Sequence, residues 1–211
     1  MNDKRRRWAG FYFITDATLS ERGIIADVRD ALTAGVVMVQ YREKSKSYGE
    51  RRAEAIDIFA LCRAAGVPFI VNDDVQLARD IGADGVHIGQ EDTPLIEARR
   101  ILGPKTIIGV SVGSADEARI ATGSGADYMA ASPIFATPTK LDAGPGIGID
   151  GIRAIRDVTD LPLAAIGGLN RDNIPLVIEA GADMICAISA SLSGGKVAEN
   201  IRAMTTGWKA R

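Results

Sequence analysis

Short runs of β-branched and aromatic residues alternate along the chain with longer stretches whose apolar positions recur every three or four residues. The first pattern suits buried parallel strands, and the second suits amphipathic helices packed on them. The strands predicted are Phe11–Thr15, Val36–Tyr41, Phe69–Asn72, Gly85–Ile88, Ile107–Ser111, Tyr128–Ala131, Leu163–Ile166 and Met184–Ser189. Helical stretches such as Tyr48–Ala65, Pro94–Leu102, Ala115–Ser124 and Ile174–Ala180 fall between them. Eight such strands in repeated βα order predict an α/β protein built as a single (β/α)8 TIM barrel.

An internal echo supports the count. Gly82-Ala83-Asp84, Gly125-Ala126-Asp127 and Gly181-Ala182-Asp183 each end a helix and open a strand, with the glycine placed for a left-handed helix terminus. Pro68, Pro104 and Pro162 stand just before the strands in between, where a missing N–H costs little. The resulting two-unit rhythm matches a barrel whose alternate strands fill alternate interior layers. A doubly wound open sheet is the rival architecture, but Asp16-Ala17-Thr18 after the first strand is not the glycine-rich turn such sheets carry. The one long irregular segment is 132–148, rich in Pro and Gly, and a segment of that length in a compact chain reads as a working loop or as disorder.

Composition narrows the function classes. At 211 residues the chain is long enough for one well-filled core and short for two, so residues 1–211 are read as one domain. The basic run Lys4-Arg5-Arg6-Arg7 is taken as part of a flexible tail over residues 1–9. A formal net charge of −2 offers no general attraction to nucleic acid, so any phosphate chemistry must come from local clusters of cations. No window reaches the roughly 20 apolar residues of a membrane span. Cys62 and Cys186 form no metal-binding or redox pair and read as buried apolar residues of a cytoplasmic protein.

Barrel enzymes build their sites from the loops that follow the strands, so each strand end matters. Gln40, Arg42 and Lys44 alternate and therefore share one face at the barrel mouth, where two cations call for an anion or for a local partner such as Glu43. Asp73 and Asp92 follow adjacent strands and are placed to converge on one hard cation, with Asn72 beside them. Magnesium takes one or two carboxylates and completes its shell with water and phosphate oxygens, which suits this supply. Asp74 reads as the cap of the next helix. Gly167-Gly168 and Ile188-Ser189-Ala190, after strands seven and eight, occupy the usual phosphate position of a barrel. His87, the sole histidine, reads as a packed, hydrogen-bonded core residue. With no nucleophile–base pair in sight, a reaction needing no activated protein nucleophile is favoured.

From Tyr12-Phe13-Ile14-Thr15-Asp16 to Ala187-Ile188-Ser189 the sequence resembles the thiamine-phosphate synthase family. The carriers are Gln40–Lys44, Val71-Asn72-Asp73-Asp74, the run from Val86-His87 to Glu91-Asp92, Pro133–Lys140, Ile166-Gly167-Gly168 and Gly181-Ala182-Asp183, in that order and spacing. The resemblance implies a magnesium-dependent transferase that joins hydroxymethylpyrimidine diphosphate to a thiazole phosphate and releases pyrophosphate. It places Gln40, Tyr41, Arg42, Glu43, Lys44, Asn72, Ser111 and Lys140 at the pyrimidine diphosphate, with Arg42, Lys44, Ser111 and Lys140 acting in catalysis. It places Asp73 and Asp92 on Mg2+, and Thr137, Pro138, Thr139, Gly168, Ile188 and Ser189 at the thiazole phosphate. It implies that pyrophosphate departs first and that the ring nitrogen of the thiazole captures the pyrimidine-methyl cation. The place of Lys140 in the long irregular loop adds the expectation that this loop closes over the diphosphate and brings its ammonium onto the leaving group. The partners implied are these two small molecules, with no nucleic acid and no membrane, and homo-oligomerisation is left open. The chain departs from the family at Gly113, where many relatives carry histidine, and at Ser132 and Ala136, which replace a glycine and a proline. A thiazole tautomerase and a non-catalytic phosphate-binding barrel are the competing readings.

Overall fold

Alternate residues of each strand meet two different environments, and the closed sheet follows from that alternation. The computed structural model describes residues 8–137 and 145–208. Eight parallel strands, β1 (Gly10–Ile14), β2 (Met38–Tyr41), β3 (Phe69–Asn72), β4 (Gly85–Ile88), β5 (Ile107–Val112), β6 (Tyr128–Ala131), β7 (Leu163–Ile166) and β8 (Met184–Cys186), pair in sequence order. Strand β8 returns to β1 through the pairs Gly10–Met184 and Phe11–Ile185, which closes the barrel. The helices between and after them are α1 (Ile24–Thr33), α2 (Tyr48–Ala65), α3 (Val75–Ile81), α4 (Leu95–Leu102), α5 (Ala115–Gly123), α6 (Gly148–Arg156), α7 (Ile174–Glu179), α8 (Ile188–Leu192) and α9 (Val197–Thr205). Among the described residues, none of them is long and apolar enough to cross a membrane.

One set of strand side chains, including Phe13, Val39, Val71, Val86, Ile108 and Leu163, packs outward against the helices. The alternate set, including Tyr12, Met38, Ile70, Tyr128 and Met184, fills the barrel. Both cysteines are buried with free thiols, as the sequence predicts. Residues 1–7, with the basic run, lie outside the described residues, but Trp8, assigned by sequence to a flexible tail, is buried beneath the barrel with its ring edge-on to Tyr128 at 6.0 Å. That apolar indole is worth more in contact with the barrel floor than in water.

The Gly-Ala-Asp echo has a structural basis beyond its glycine, although Gly82, Gly125 and Gly181 do have positive φ. Each aspartate accepts a hydrogen bond from a backbone N–H at the start of the preceding strand. Asp84 takes that of Phe69 at 2.9 Å, Asp127 that of Ile108 at 3.1 Å, and Asp183 that of Leu163 at 3.0 Å. Arg99 and Arg156 then pair with Asp127 and Asp183 at 2.7 and 3.0 Å. Strands β3–β4, β5–β6 and β7–β8 are thereby tied in pairs at the end of the barrel away from the mouth.

The structure departs from the predicted boundaries in two informative places. Strand β2 begins at Met38, not Val36. Strand β8 ends at Cys186, and Ile188-Ser189, predicted as strand, open α8 instead. The Ser191 N–H reaches the Ala187 carbonyl at 2.9 Å, and the Ser191 hydroxyl bonds the Ile188 carbonyl at 2.9 Å, so hydrogen bonding inside the turn overrides the strand propensity of the run.

Gly109 pairs in register with Tyr128, and a Cβ there would lie 2.0 Å from the Tyr128 ring. A strand glycine with no side chain is therefore the space the phenol occupies. Gly109→Ala is expected to destabilise the protein by at least about 1–3 kcal/mol through overpacking, measured by urea unfolding. Combining it with Tyr128→Leu is expected to remove most of the added cost, and full additivity would show that the two positions do not compete for space.

Candidate active site

The polar strand ends gather at one rim because every strand runs in the same direction. Gln40 points into the barrel, buried, and its Nε2 donates to the Tyr12 hydroxyl at 2.6 Å. Arg42 follows just past β2. Its backbone N–H donates to Thr15 Oγ1 at 2.8 Å, and its guanidinium meets Asp16 at 3.2 Å. Asp16 is buried and also accepts from the N–H groups of Thr18 and Leu19, so it is a fixed anchor for Arg42. Lys44 reaches across to Asp73 and pairs with it.

Asp73 has φ 60, a left-handed conformation that aspartate tolerates better than most residues. It is held there by its N–H on the His87 carbonyl at 2.8 Å and by the Asn72 amide on its Oδ1 at 2.7 Å. Burial pushes its carboxyl above the ordinary aspartate range; Lys44 opposes the shift and the neighbouring Asp92 adds to it. Asp92 accepts from the Gly89 N–H at 2.7 Å. Asp74 caps α3 through the Leu77 N–H at 2.8 Å, as predicted.

Ser111, at the end of β5, receives the Gln90 amide on its carbonyl at 2.5 Å, and its hydroxyl lies 3.0 Å from His87 Nε2. His87 is buried, and its Nδ1 lies 2.9 Å from the Tyr128 hydroxyl, so the core role read from sequence is the one observed.

Two residues assigned to the pyrimidine-diphosphate site do not reach the mouth. The Tyr41 hydroxyl donates to Glu54 of α2 at 2.9 Å, and its ring stacks on Phe69 in the outer layer. Glu43 is buried and folds back on its own loop, accepting from the Ser45 N–H at 2.7 Å and from the Ser45 hydroxyl at 2.6 Å. Burial raises the Glu43 carboxyl, but these bonds and Lys46 outweigh it and hold the group below its ordinary value. Strand alternation turns both side chains away from the face shared by Gln40, Arg42 and Lys44. Nor is Glu43 the partner of Arg42 or Lys44; its nearest cation is Lys46, at 3.9 Å.

On the other side of the rim, the loop after β6 lies across the end of β7, with Ile134 N–H on the Ile166 carbonyl at 2.9 Å and Phe135 N–H on the Gly167 carbonyl at 3.0 Å. Thr137 stands half-buried at the last described position of that loop, while Pro138, Thr139 and Lys140 lie outside the described residues. Gly168 has φ 64, and a Cβ on it would lie 2.8 Å from the Ala136 carbonyl oxygen. Its glycine is thus required by contact with the β6 loop, a reason distinct from the approach of a phosphate inferred from sequence. Ile188 and the exposed Ser189 form the first turn of α8, whose leading N–H groups have no partner within the helix. The sequence reading missed Asp16, Gln90, Tyr12 and Tyr128. Asp16 carried the same signal as its neighbours, a polar residue directly after a strand.

The residues present suit a divalent cation. Among the described residues no cluster of three or more protein ligands exists, but magnesium needs only one or two carboxylates, and the neighbouring Asp92 adds to the cost of charge on Asp73. A carboxyl whose folded-state pKa is raised costs nothing while protonated in both states. It destabilises the fold increasingly as pH climbs from the ordinary carboxylate range through the raised value. In chelator, Asp73→Asn is therefore expected to melt above wild type at neutral pH, with the advantage vanishing as pH falls toward that range. Magnesium is expected to raise the melting temperature of wild type only. A variant that melts below wild type at neutral pH, together with a wild type indifferent to magnesium, would exclude this pair as a cation site.

Residues 11–191 match the family model described as thiamine monophosphate synthase. The chain is 48% identical over 187 residues to a thiamine-phosphate synthase of Methanosarcina barkeri, covering 89% of this chain and 84% of that protein. It is 46% identical to a thiamine-phosphate synthase of Chloroflexus aurantiacus, covering 92% of each. A solved structure of thiamine phosphate pyrophosphorylase from Pyrococcus furiosus superposes with a TM-score of 0.88 at 36% identity over 96% of both chains. With this coverage, and with the barrel and rim just described, the chain belongs to the thiamine monophosphate synthase family.

Proposed function

We propose that this chain is a thiamine-phosphate synthase, a transferase that joins hydroxymethylpyrimidine diphosphate to a thiazole phosphate and releases pyrophosphate. The observation that carries the reading is the rim over β2–β5, where Arg42 and Lys44 stand beside the paired carboxylates of Asp73 and Asp92 in a chain 48% identical to a named synthase. Cations and a carboxylate pair side by side are what a metal-bound diphosphate requires.

The C–O bond between the pyrimidine methylene and the diphosphate breaks, and its electron pair leaves with the diphosphate. The amino-substituted ring stabilises the resulting cation, and the lone pair of the thiazole nitrogen then forms the new C–N bond, so no protein base is needed. Arg42, Lys44 and Lys140 stabilise the charge that grows on the leaving group, and Gln40, Asn72 and Ser111 orient the pyrimidine. A magnesium ion held by Asp73 and Asp92 would supply further neutralisation of the diphosphate. Thr137, Thr139, Gly168, Ile188 and Ser189 hold the thiazole phosphate on the opposite side, with the helix start and backbone N–H groups facing it. The free, buried thiols of Cys62 and Cys186 are compatible with a reducing compartment, which supports our reading of a cytoplasmic reaction.

The tautomerase reading requires a side chain that can move protons at position 113. Gly113 has none, and its N–H is bound to Glu117 at 2.7 Å.

Purified protein given both substrates and magnesium is expected to form thiamine phosphate, detected as its fluorescent oxidation product; absence of product with folded protein rejects the reading. Lys140→Ala is expected to lower the single-turnover rate by about 10²–10³, the usual cost of removing a transition-state donor, with the melting temperature near wild type. Loss of an exposed ion pair costs only about 0–1 kcal/mol, so a rate within about threefold of wild type would take Lys140 out of the mechanism.

A further inference from the structure

Below the mouth, five polar side chains form an unbroken chain across the inside of the barrel. Gln40 Nε2 meets the Tyr12 hydroxyl at 2.6 Å, Tyr12 meets the Tyr128 hydroxyl at 2.7 Å, Tyr128 meets His87 Nδ1 at 2.9 Å, and His87 Nε2 meets the Ser111 hydroxyl at 3.0 Å. Gln40, Tyr12, Tyr128 and His87 are all buried, and Ser111, half-buried near the end of β5, is the one member that reaches toward solvent. Both ends stand on the rim where the proposed diphosphate substrate binds.

We infer that Tyr12, Tyr128 and His87 are positioning residues that act as one ordered relay, fixing His87 as its Nε2–H tautomer and presenting Ser111 to the mouth as a hydrogen-bond donor and Gln40 as an acceptor. The order follows from counting protons. An amide NH2 can only donate, so Tyr12 accepts from Gln40. Burial pushes both phenols far above the ordinary tyrosine value, so each keeps its single proton. Among the described residues Tyr12 meets only Gln40 and Tyr128, so its proton goes to Tyr128, and the Tyr128 proton goes to His87 Nδ1. Nδ1 is then the acceptor of the ring and Nε2 carries the hydrogen, which is donated to Ser111 Oγ. The Ser111 hydrogen is then not used within the relay, and Gln40 Oε1 takes no hydrogen bond from the described residues, so these are the two atoms the relay leaves for a ligand.

The alternative is a complete reversal. With Gln40 turned so that Oε1 meets Tyr12, every member would donate in the opposite sense, and Ser111 would offer the mouth a lone pair. A mixed order strands a buried hydroxyl hydrogen, at a cost of about 1–3 kcal/mol. The relay therefore has two whole-chain states, and the orientation of Gln40 selects between them. The ligand presented at one end of the rim is matched to the ligand presented at the other, through groups that touch no substrate.

The functional meaning of this relay rests on the proposed reading of Gln40 and Ser111, but its test needs no substrate, so failure of one leaves the other standing. His87 is the only histidine of the chain, so 15N-histidine labelling gives a single ring to observe. Long-range 1H–15N correlation of the chelated, ligand-free protein is expected to show a protonated Nε2 and an unprotonated Nδ1. In Gln40→Glu at about pH 8, well above the ordinary glutamate range, a carboxylate that only accepts is expected to reverse the relay and move the proton to Nδ1. In Tyr12→Phe the link is cut, and a mixture of the two tautomers is expected. A tautomer that follows either substitution in the stated direction supports the relay. A wild-type ring protonated on Nδ1 or on both nitrogens, or an unchanged pattern in both variants, overturns it.

Discussion

A phenol buried in the middle of a barrel has to keep its hydroxyl hydrogen-bonded, because an unpaired one costs about 1–3 kcal/mol. Tyr128 is fully enclosed, and the interior is arranged around that requirement. Gly109 on the neighbouring strand leaves the room for its ring, Trp8 closes the space beneath it, and Tyr12 and His87 satisfy its hydroxyl. The same contacts run upward to Gln40 and Ser111. Packing of the floor and orientation of the mouth are therefore one problem in this molecule, and residues that look like core filling determine which atoms a ligand meets.

The opposite end of the barrel solves a different problem. N–H groups at the start of β3, β5 and β7, those of Phe69, Ile108 and Leu163, need partners where the sheet begins, and Asp84, Asp127 and Asp183 supply them from the turns before β4, β6 and β8. The two-strand rhythm of the sequence is the trace of this arrangement. Proline before or near the odd strands and Gly-Ala-Asp before the even ones are complementary halves of one joint. These ties lie away from the mouth, in the division of labour usual for such barrels, where the loops at the other end carry ligand-binding side chains.

The strands were legible because a side chain every second residue has to be apolar on both faces of a buried parallel sheet, and that requirement writes itself into short β-branched runs. The end of β8 was not, since Ile185-Cys186-Ala187-Ile188 reads as strand throughout while Ser191 turns the chain by bonding back to Ala187 and Ile188. At the rim, alternation picks out Gln40, Arg42 and Lys44, and applied consistently it also removes Tyr41 and Glu43, which came in only as neighbours within a motif. Tyr12 and Tyr128 were illegible as site residues for a different reason. Nothing local in a strand tyrosine tells whether its hydroxyl ends in a helix layer, as Tyr41 does, or in a polar chain beneath a mouth. The register of Gly109 against Tyr128 was the one clue in reach, because a glycine inside a strand marks a close approach by something large.

The two cations shared by this rim are not equivalent, and the difference bears on how an anion can be received. Asp16, the partner of Arg42, is 6% exposed at its side chain and is itself locked by the following turn, so the pair is desolvated and built in. Removing the carboxylate from that pair would leave a partly buried charge uncompensated, which is expensive, so Arg42 meets a ligand only by sharing itself with Asp16. Lys44 is 56% exposed and pairs with Asp73, whose carboxyl burial and Asp92 already disfavour in its charged form. An exposed pair of that kind contributes about 0–1 kcal/mol and costs correspondingly little to exchange. On the proposed function, Arg42 would therefore set the place and orientation of a bound anion from a fixed position, while Lys44 would leave its resting partner and follow charge as it moves.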